Sequence, residues 1–592
     1  MKKIDVQYDF VVIGGGMAGI CAAIAAARHG AKTALIHNRP VLGGNASSEI
    51  RMHICGADQH AANPNMRETG ILEELLLENK YKNPNYSYSL FDTILWEKTH
   101  FQKNLDLYLN THFTKLSVKN GLIKTVTAKQ LTTEKTFVFS APLFMDCTGN
   151  GTVGVKAGAE FMFGREAHEV FGDTSAPLKY DERTMGNSLM FESVDRGYPV
   201  RFIKPDWAYS YTEKDLALRD HSDFQSGYWW IELGGGHLNT IEDGEEIRDE
   251  LVKVLFGVWD HIKNGGDHGA ENHEIVWMGF LPGMRESYRL TGDYVLKQED
   301  CVKISDFKDS VAYGGWAMDV HVSGGFEAQD EEATIFHPVY PGYAIPYRAL
   351  YSKNIKNLYL GGRNISASHV AFGSTRVMAT CAVMGQAAGT AAAVAIREKI
   401  SPKAVMKHMD ELQQTLLRDD CYIPLIKNHD INDIAAKAEV TASSCADGYL
   451  PENVINGTAR NVREEINGWM SNSMSGSEWL RLKLDSVHKL EEVHVKFDSN
   501  LSKQIMISYM QSDLKLQVKG LPHELVKEWS LVFEKGGKAV LKMDFEENYQ
   551  RFNKIVLPKP IECDSVKVEI HSTYGDSHAR IFEMRLYENQ RK

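Results

Sequence analysis

Three glycines near the amino end of this 592-residue chain have the spacing of a phosphate-binding turn. Gly14, Gly16 and Gly19 form the pattern GxGxxG directly after the apolar run Phe10–Ile13, and a helix of small residues follows. The first glycine allows a tight turn, the second lets the backbone approach a pyrophosphate, and the third lets the helix pack closely on a sheet. A second apolar run at 32–36 completes a βαβ unit, so the sequence predicts a dinucleotide site at the helix N-terminus.

Two later segments carry elements that suit the same site. The apolar run Leu358–Leu360 is followed by the turn 361–363, and residues 373–395 form a helix rich in Ala, Gly, Ser and Thr. Such a helix can lie close to a cofactor and to the first helix. Between these segments, residues 143–161 read as a strand followed by a Thr-Gly turn.

These pieces, with the loop 43–56 and the stretch LPGMRESYRLTGDYVL at 281–296, resemble the FAD-dependent oxidoreductase family found in carbohydrate-degrading bacteria. That family is distantly related to the fumarate reductase and succinate dehydrogenase flavoproteins. The late return of a strand, a glycine turn and a helix resembles FAD domains of the glutathione-reductase type. The resemblance implies an α/β fold, in which a Rossmann-like FAD-binding domain contains an inserted α+β substrate domain.

The resemblance also implies which residues contact FAD. They are Gly14, Gly16, Met17, Ala18, Gly19, His37, Asn38, Gly43, Gly44, Asn45, Ser47, Ser48, Thr148, Gly149, Gly362, Arg363, Ser374 and Thr375. One position departs from the pattern, because His37, followed by Asn38, stands where an acidic residue normally holds the adenosine ribose. A neutral imidazole or amide can also hydrogen-bond a hydroxyl, so we expect FAD binding to survive the change.

A flavin dehydrogenase needs a base for the substrate proton and a positive dipole near the flavin. The helix expected to begin around 373–376 supplies such a dipole at its N-terminus, and Arg376 lies there. His369 precedes this helix, where related flavoproteins have substrate-contacting residues. We therefore take His369 and Arg376 as candidate catalytic residues, with a histidine buried for structural reasons as the alternative for His369.

The loop after the second strand offers a second candidate group. Glu49, Arg51 and His53 alternate, so an extended chain would place them on one face, toward the active site. Arg51 and His53 are therefore candidate catalytic residues. A covalent 8α-histidyl flavin at His53 is the less favoured alternative, because the attachment motif of the fumarate reductase relatives is absent.

Two arginines in the 281–296 stretch are candidates for binding substrate. Arg285 and Arg289 lie four residues apart, and a helix would place them on one face. Arg289 is the candidate clamp for an anionic or polyhydroxylated substrate, and we count it among the catalytic residues. The alternative for both is an internal ion pair with Glu286 or Asp293.

Composition excludes several classes of protein. A formal charge of −12 and a pI near 6.0 disfavour a nucleic-acid partner or an anionic membrane surface. No signal peptide is predicted, because no apolar h-region and no cleavage site precede the first strand, and no membrane span is predicted, because no eighteen-residue apolar run occurs. The eight cysteines are scattered without a CxxC motif, which disfavours a disulfide framework and favours the cytoplasm.

The region 161–345 is the expected substrate half. Its aromatic residues could stack on sugars, although most of them should be core. The run from Asp260-His261 through Asp267-His268 to His273-Glu274 could suggest a metal. Its glycines and its lack of i,i+4 histidines favour a solvated loop, so no metal site is predicted.

The sequence pattern changes near 421–437, from that of alanine-rich helices to that of short strands with alternating polar and apolar residues. The later region, with the pieces 452–457 and Gly468-Trp469, resembles a discoidin-like, galactose-binding-like β-sandwich of the jelly-roll kind. The alternative is a generic β-sandwich. Such domains bind carbohydrate or serve as structural or oligomer-forming appendages, so a homo-oligomer is one expectation. The predicted domains are the first part of the FAD-binding domain (1–160), the substrate or cap domain (161–345), the FAD return segment (346–425) and the sandwich (438–592).

The sequence therefore predicts an FAD-dependent oxidoreductase that transfers a hydride from a substrate carbon to flavin N5. The expected substrate is a small molecule derived from carbohydrate, such as a sugar or sugar acid, and the electron acceptor is not identified by the sequence. The alternative is a carbohydrate-binding protein whose flavin domain is catalytically idle or redox-neutral.

Overall fold

The computed structural model describes residues 2–57, 63–226 and 228–588. The chain divides into two compact units. Unit one comprises Met1–Gln59, Tyr86–Met409 and Met506–Leu516, and unit two comprises His60–Asn85, Asp410–Ile505 and Gln517–Lys592. The second unit thus begins before the predicted 421–437 boundary and includes an early segment that the sequence assigns to the first domain.

The regular elements of the described residues are numbered in chain order. The helices are α1 (Met17–Arg28), α2 (Ile71–Lys82), α3 (Tyr88–His100), α4 (Thr152–Ala157), α5 (His168–Phe171), α6 (Gly244–Asn264), α7 (Gln298–Cys301), α8 (His369–Thr375), α9 (Met378–Glu398), α10 (Met409–Arg418) and α11 (Gln511–Leu516). The strands are β1 (Lys3–Gln7), β2 (Phe10–Ile13), β3 (Thr33–Ile36), β4 (Leu105–Tyr108), β5 (Thr111–Lys119), β6 (Leu122–Gln130), β7 (Thr136–Ser140), β8 (Leu143–Asp146), β9 (Phe161–Met162), β10 (Asn187–Ser188), β11 (Phe191–Asp195), β12 (Glu232–Leu233), β13 (His273–Met278), β14 (Gly283–Met284), β15 (Arg289–Leu290), β16 (Ser310–Gly314), β17 (Met318–His321), β18 (Thr334–His337), β19 (Tyr343–Pro346), β20 (Leu358–Leu360), β21 (Glu439–Ala442), β22 (Trp469–Met470), β23 (Glu478–Phe497), β24 (Val526–Lys535), β25 (Lys538–Phe545), β26 (Phe552–Thr573) and β27 (Arg580–Glu588).

A five-stranded sheet in the order β20-β8-β2-β3-β4 forms the centre of unit one, and all of its neighbouring strands run parallel. Every residue of β2, β3, β8 and β20 is buried, as expected for parallel strands covered on both faces. The strands predicted at Phe10–Ile13 and Leu358–Leu360 are confirmed. The sheet brings the turns after β2, β8 and β20 to one edge, because the carboxyl ends of parallel strands lie together.

Helices α1 and α9 run parallel and in close contact. A Cβ added at Gly385 would lie 2.1 Å from the carbonyl oxygen of Ala18, and one added at Gly389 would lie 2.2 Å from that of Ala22. Only glycine allows this backbone approach. Gly385 is the eighth residue of α9 and lies against Ala18, the second residue of α1. The N-terminus of α9 therefore projects past that of α1 by six residues, or about 9 Å at 1.5 Å per residue.

The return helix differs from the one that the sequence predicts. A single helix was expected from about 373–376 onward, but the structure has the short α8, then a break, and then α9. Val377 is extended there, with φ −67° and ψ 147°, and it serves as the N-cap of α9. Ser374 and Thr375 therefore end the short helix rather than begin the long one.

The middle of unit one carries short antiparallel sheets around α6. Buried aromatic and aliphatic side chains form its core, among them Trp259, Tyr228 and Trp230. Trp207 and Tyr209 remain exposed at 51% and 43%. As expected, many of the region's aromatic residues thus belong to the core.

Unit two is an all-β antiparallel region with α2 and α10. Its seven-stranded sheet has the order β22-β27-β23-β26-β24-β25, and β21 also pairs with β23. The sequence predicts short alternating strands here, but residues 478–497 form one long strand, β23, whose pairing register shifts between Lys483 and His488. β26 is likewise one long strand, and its pairing with β23 has the same register shifts. Long strands of this kind bend at irregularities in their pairing.

Among the described residues, one helix is long and apolar enough to cross a membrane by length and composition. This is α9, and 94% of its most apolar window is buried inside the protein. Its burial is explained by the contact with α1.

Candidate active site

The turn between β2 and α1 has the geometry of a phosphate cradle. A Cβ at Gly14, where φ is +114°, would lie 2.0 Å from the carbonyl oxygen of Cys147, and one at Gly19 would lie 1.8 Å from the carbonyl oxygen of Gly14. A Cβ at Gly16 would meet nothing within 4 Å. The first and third glycines are therefore required by packing, whereas Gly16 faces open space at the N-terminus of α1.

His37 follows β3 and contacts this turn directly. Its Nδ1 accepts a 3.0 Å hydrogen bond from the backbone N–H of Gly15. Burial lowers the pKa of His37 to about 4, so the ring is neutral at pH 7. Its buried Nε2 makes no close hydrogen bond among the described residues, although the backbone of Val41 opposes the fall in the pKa of the ring. The neighbouring Asn38 is exposed.

The loop 43–57 connects the N-termini of the two parallel helices. At one end, the N–H of Gly43 donates to the carbonyl oxygen of Gly15 at 2.9 Å. At the other end, the carbonyl oxygen of Cys55 accepts a 3.0 Å hydrogen bond from Ala379 in the first turn of α9. The loop thus passes from the phosphate turn to the projecting end of α9.

Arg363 is a partly buried cation on the turn after β20. Its Nη2 donates to the side-chain oxygen of Asn150 at 2.7 Å, and its Nε lacks a hydrogen-bond partner within the described ranges. None of the ion pairs found in the described structure involves it. Burial lowers the pKa of Arg363 to about 10, which still leaves it charged at neutral pH. A Cβ at Gly149 would lie 2.6 Å from this guanidinium, so a glycine is needed beside it.

The segment 283–290 holds these loops together. Its side chains and backbone reach the loop after β3, the turn after β8 and the turn after β20. The hydrogen bonds are Asn45 Nδ2 to Met284 O at 3.1 Å, Ser287 Oγ to Gly149 O at 2.8 Å and Leu290 N to Asn364 O at 2.9 Å.

The same segment supplies the partner of His369. Glu286 Oε1 lies 2.9 Å from His369 Nδ1, and both side chains are buried. Burial alone would raise the pKa of Glu286, but the charges of His369 and Arg289 and the hydrogen bond hold it below its ordinary value. No hydrogen bond of His369 Nε2 is found within the described part of the chain. Glu286 therefore fixes the ring and leaves Nε2 as the remaining functional nitrogen.

Arg289 lies beside this pair and is fully buried. Its Nη2 lies 2.9 Å from Glu166 Oε1, and its Nε lies 3.8 Å from Glu286 Oε1. Glu166 also accepts a 2.9 Å hydrogen bond from the backbone N–H of His369. Arg289 thus forms the internal ion pair that the sequence leaves open as the alternative, with Glu166 as its nearest partner.

The expected helical pairing of Arg285 and Arg289 is wrong. Residues 285–288 lie between β14 and β15, so the two side chains point to different partners. Arg285 lies 3.3 Å from Glu232 and donates to Ser188 Oγ at 2.6 Å. The β-strand pairings of Met284 and Arg289 with separate neighbours override the local helical spacing.

A second buried charge cluster lies at the other end of α8, and sequence reasoning missed most of it. His321 lies between two carboxylates, with Nδ1 2.7 Å from Glu232 and Nε2 3.1 Å from Asp319. Arg376 donates to Asp319 at 2.8 Å. Burial would raise the pKa of Asp319, but the charges of His321 and Arg376 hold it well below its ordinary value. Only Arg376 was a sequence candidate, because the partners come from distant strands.

The loop residues Arg51 and His53 lie in a separate pocket of unit one. Arg51 has φ +64° within a turn, pairs with Glu192 and stacks on Trp277 at 4.0 Å. Glu49 instead pairs with Arg39 at 2.7 Å. The expected extended face is therefore wrong, although Arg51 and His53 do line one small pocket with Trp277.

The remaining predicted residues are placed as follows. Met17, Ala18 and Ser47 are buried, a Cβ added at Gly44 would lie 3.2 Å from the Cα of Gly16, and the Ser48 N–H donates to Asp92 at 3.1 Å. Thr148 Oγ1 donates to Asp146 at 2.7 Å, Gly362 has φ +85°, Ser374 donates to the carbonyl of Trp316, and Thr375 Oγ1 is buried with no hydrogen bond among the described residues. The hydroxyls of Thr148 and Ser374 thus already have protein partners.

The sequence profile of the FAD dependent oxidoreductase family matches residues 9–416. The chain belongs to this family. It is therefore an FAD-dependent oxidoreductase, and the residues present fit the cofactor. An open space lies over Gly16, and in the described part of the chain the buried Nε2 of His37 makes no close hydrogen bond and Arg363 forms no ion pair with a carboxylate. These are groups that a pyrophosphate, ribose hydroxyls and an electron-rich flavin would satisfy.

Comparison with solved structures gives matches to carbohydrate-binding modules, whereas no curated protein matches the chain. The lectin domain of lectinolysin with Lewis B antigen is 12% identical, covers 27% of this chain and 98% of its own, and has a TM-score of 0.20. The family 32 module of C. perfringens NanJ with galactose is 15% identical, with coverages of 26% and 98% and a TM-score of 0.20. That of Streptococcus pneumoniae EndoD is 18% identical, with coverages of 26% and 99% and a TM-score of 0.21. Scores this low carry no conclusion about what this chain binds.

Proposed function

We propose that this enzyme is a dehydrogenase in which Nε2 of His369 removes a proton from a small polar substrate while a carbon-bound hydride leaves for flavin N5. FAD supplies the hydride acceptor when bound. The observation that carries the proposal is the buried Glu286–His369 pair, 2.9 Å from Oε1 to Nδ1. It stands at the start of α8, beside the segment that joins the cofactor loops.

The pair determines which nitrogen acts. A carboxylate can only accept, so Nδ1 of His369 carries the proton and Nε2 keeps the lone pair that a base requires. The carboxylate also stabilises the imidazolium that forms when Nε2 takes a proton. The depressed pKa of Glu286 supports this role, because the carboxyl group is then ionised at neutral pH.

The cluster around Asp319 supports a substrate that is polyhydroxylated or anionic. Both ring nitrogens of His321 face carboxylates, those of Glu232 and Asp319. The guanidinium groups of Arg285 and Arg376 pair with the same two carboxylates. A cluster so rich in charged and hydrogen-bonding groups favours a sugar acid or related hydroxy acid over an uncharged apolar substrate.

The test is the anaerobic half-reaction of the FAD-loaded protein with a panel of sugars, polyols and sugar acids. With a substrate that bleaches the flavin, His369→Ala should retain FAD and be reduced about 10²–10⁴-fold more slowly. His237→Ala serves as the matched control, because that side chain is 65% exposed in the same unit. A His369→Ala variant reduced at the wild-type rate would reject the assignment, and a variant that loses FAD in proportion to activity would make the role structural.

The C-terminal strands of unit two are proposed to form the galactose-binding-like sandwich expected from the sequence. The antiparallel order and the buried Trp469 beside β27 support this reading. Retention of the full chain on immobilised galactose, abolished by free galactose, would support a binding role. Absence of retention on a range of sugars would favour a structural appendage.

A further inference from the structure

Three histidines and one glutamate converge outside the sites described above. Glu213 Oε1 lies 3.1 Å from His261 Nε2, 3.3 Å from His268 Nε2 and 3.5 Å from His221 Nε2. The Nε2 atoms of His261 and His268 are themselves 3.2 Å apart. All four potential ligand atoms lie within 4.8 Å of one another.

From this arrangement we infer that unit one contains a zinc site formed by Glu213, His221, His261 and His268. Four ligands at about 2.0–2.1 Å around a tetrahedral ion lie roughly 3.3 Å from each other. The three separations from Glu213 and the His261–His268 separation match this value. Three imidazoles and one carboxylate suit Zn²⁺ by ligand type, and four protein ligands make the site structural.

The hydrogen bonding of His221 points to a cation independently of the distances. Its Nδ1 lies 2.8 Å from the carbonyl oxygen of Arg219, which can only accept, so Nδ1 is the donor. Nε2 is then the nitrogen that remains to bind a metal, and it lies 3.5 Å from the Glu213 oxygen. A backbone carbonyl on the other nitrogen is the usual outer partner of a zinc-bound histidine.

The fold holds the four side chains in place before any ion binds. His261 belongs to the last turn of α6 and is 7% exposed, so it is a helical, buried residue rather than part of the expected solvated loop. A turn with positive φ at Gly266, Asp267 and Gly269 brings His268 back over it. Lys263 Nζ fixes that turn by donating to the carbonyl of Ala270 at 2.7 Å.

The segment carrying the other two ligands is equally constrained. Arg219 is buried and donates to the carbonyls of Glu331, Gly325 and Ala328 at 2.7, 3.2 and 3.1 Å. Asp215 accepts from the N–H and hydroxyl of Thr212, both at 2.7 Å, which closes the turn around Glu213. The ligands are 8 and 7 residues apart in their two segments, so no short sequence motif marks them.

The experiment uses the full FAD-loaded chain, stripped with a chelator and dialysed. Titration with ZnCl₂ should show one high-affinity site per chain by calorimetry and by metal analysis after dialysis, and Co²⁺ should give the visible bands of a tetrahedral site. His268→Ala should weaken Zn²⁺ binding at least about 100-fold, the upper end of what losing an outer-shell partner costs. His237→Ala, which changes an exposed histidine of the same unit, should bind as the wild type does.

Glu213→Gln is a second variant that tests the site if His268→Ala does not fold, because the Glu213 side chain is 68% exposed and its replacement should not disturb the fold. It should keep the flavin spectrum and lose Zn²⁺ affinity. Wild-type protein that retains no zinc after dialysis overturns the proposal, as does a His268→Ala variant that binds zinc with wild-type affinity. Either result would leave the four residues as a hydrogen-bonded cluster only.

Discussion

The backbone N–H of Gly15 donates to Nδ1 of His37 at 3.0 Å, across the turn between β2 and α1. Because Nδ1 accepts, the neutral ring carries its proton on Nε2, which is buried. Dinucleotide sites usually present a carboxylate acceptor at this position. Here the ring presents one N–H donor instead, and a ribose hydroxyl can accept it as readily as it can donate.

This relationship predicts the effect of replacing His37. His37→Leu removes the Nε2 donor and should weaken FAD binding about tenfold, the value of one hydrogen bond of roughly 1–1.5 kcal/mol. His37→Gln keeps a donor and an acceptor and should stay closer to wild type. Titration of apoprotein with FAD, followed by flavin fluorescence, measures both. The exposed Asn38→Ala is the control, and an equal loss in that variant would contradict the assignment.

The glycine turn predicts two different failures for two similar substitutions. Gly16→Val places its side chain in open space at a φ of −72°, so the chain should fold but lack FAD, since the space for the pyrophosphate is filled. Gly19→Val clashes with the Gly14 carbonyl and should give insoluble or unfolded protein.

The measurements are visible flavin absorbance and circular dichroism of the purified variants. Gly244→Val is the control, because its Cβ also meets nothing within 4 Å and its residue lies at the start of α6. A yellow, stoichiometrically loaded Gly16→Val protein would contradict the role of that glycine.

The parts of the site that depend on local sequence could be predicted, and those that depend on long-range pairing could not. The glycine turn and β20 follow from apolar runs beside glycines, which act within a few residues. Glu286 and His369 are 83 residues apart, and Glu232 and His321 are 89 residues apart. Each could have paired with several other charges, and only the tertiary fold selects among them.

The incorrect predictions also concern residues whose positions are set by long-range pairing. The spacing of Arg285 and Arg289 is compatible with a helix, but pairing with strands outside that window makes the stretch extended. Hydrogen bonding to neighbouring strands outweighs a weak local preference. The lack of helical spacing predicts a solvated loop for His261 and His268, whereas His261 lies in α6, and Glu213 and His221, which lie close to both, are 40 or more residues earlier in the sequence.

The Glu286–His369 pair predicts a graded loss of rate. Glu286→Gln can still accept through its amide oxygen but no longer stabilises an imidazolium, so flavin reduction should slow by about 10²-fold or more while FAD is retained. Glu286→Asp keeps the charge and should recover part of the rate. Stopped-flow reduction over a range of pH measures this, and a Gln variant whose rate and pH profile match wild type would show that the carboxylate has no catalytic role.

The buried ion pair of Arg67 with Glu73 should contribute to the stability of unit two. Arg67 is 3% exposed, pairs with Glu73 at 2.7 Å and donates to the carbonyl oxygens of Asn500 and Ser499 at 2.7 and 3.0 Å. Arg67→Ala leaves the Glu73 carboxylate buried without its cation and should cost about 3–5 kcal/mol of unfolding free energy. Denaturant unfolding followed by circular dichroism measures it.

The control for this change is Lys483→Ala, whose pair with Glu439 is about two-thirds exposed on both sides and should matter little. The contacts of the early segment also bear on the isolated fragment 438–592, the predicted sandwich domain. Arg460 in that fragment would lose its hydrogen bonds to residues 65–69, so we expect it to be less stable than the complete unit. Equal stabilities would contradict a structural role for the early segment.

His494 predicts how the stability of unit two depends on pH. The ring is buried beside Phe552, and its Nε2 lies 2.7 Å from Glu492 Oε1. Burial lowers the pKa of His494 to about 4 from an ordinary value of 6.5, although Glu492 opposes the shift. Below pH 6.5 the unfolded chain therefore binds a proton that the folded chain does not, and stability falls as the pH falls toward 4.

His494→Gln removes this titration while keeping a donor for Glu492. Between pH 7 and pH 4 the wild type should lose about 3 kcal/mol more unfolding free energy than the variant, since each pKa unit is worth about 1.4 kcal/mol. Above pH 7 the two stability curves should run parallel, because the ring is then neutral in both the folded and the unfolded states. Denaturant unfolding at half-unit pH intervals gives the two curves. Curves that stay parallel through pH 4 would mean that the folded protein takes up the proton at His494 as easily as the unfolded chain does.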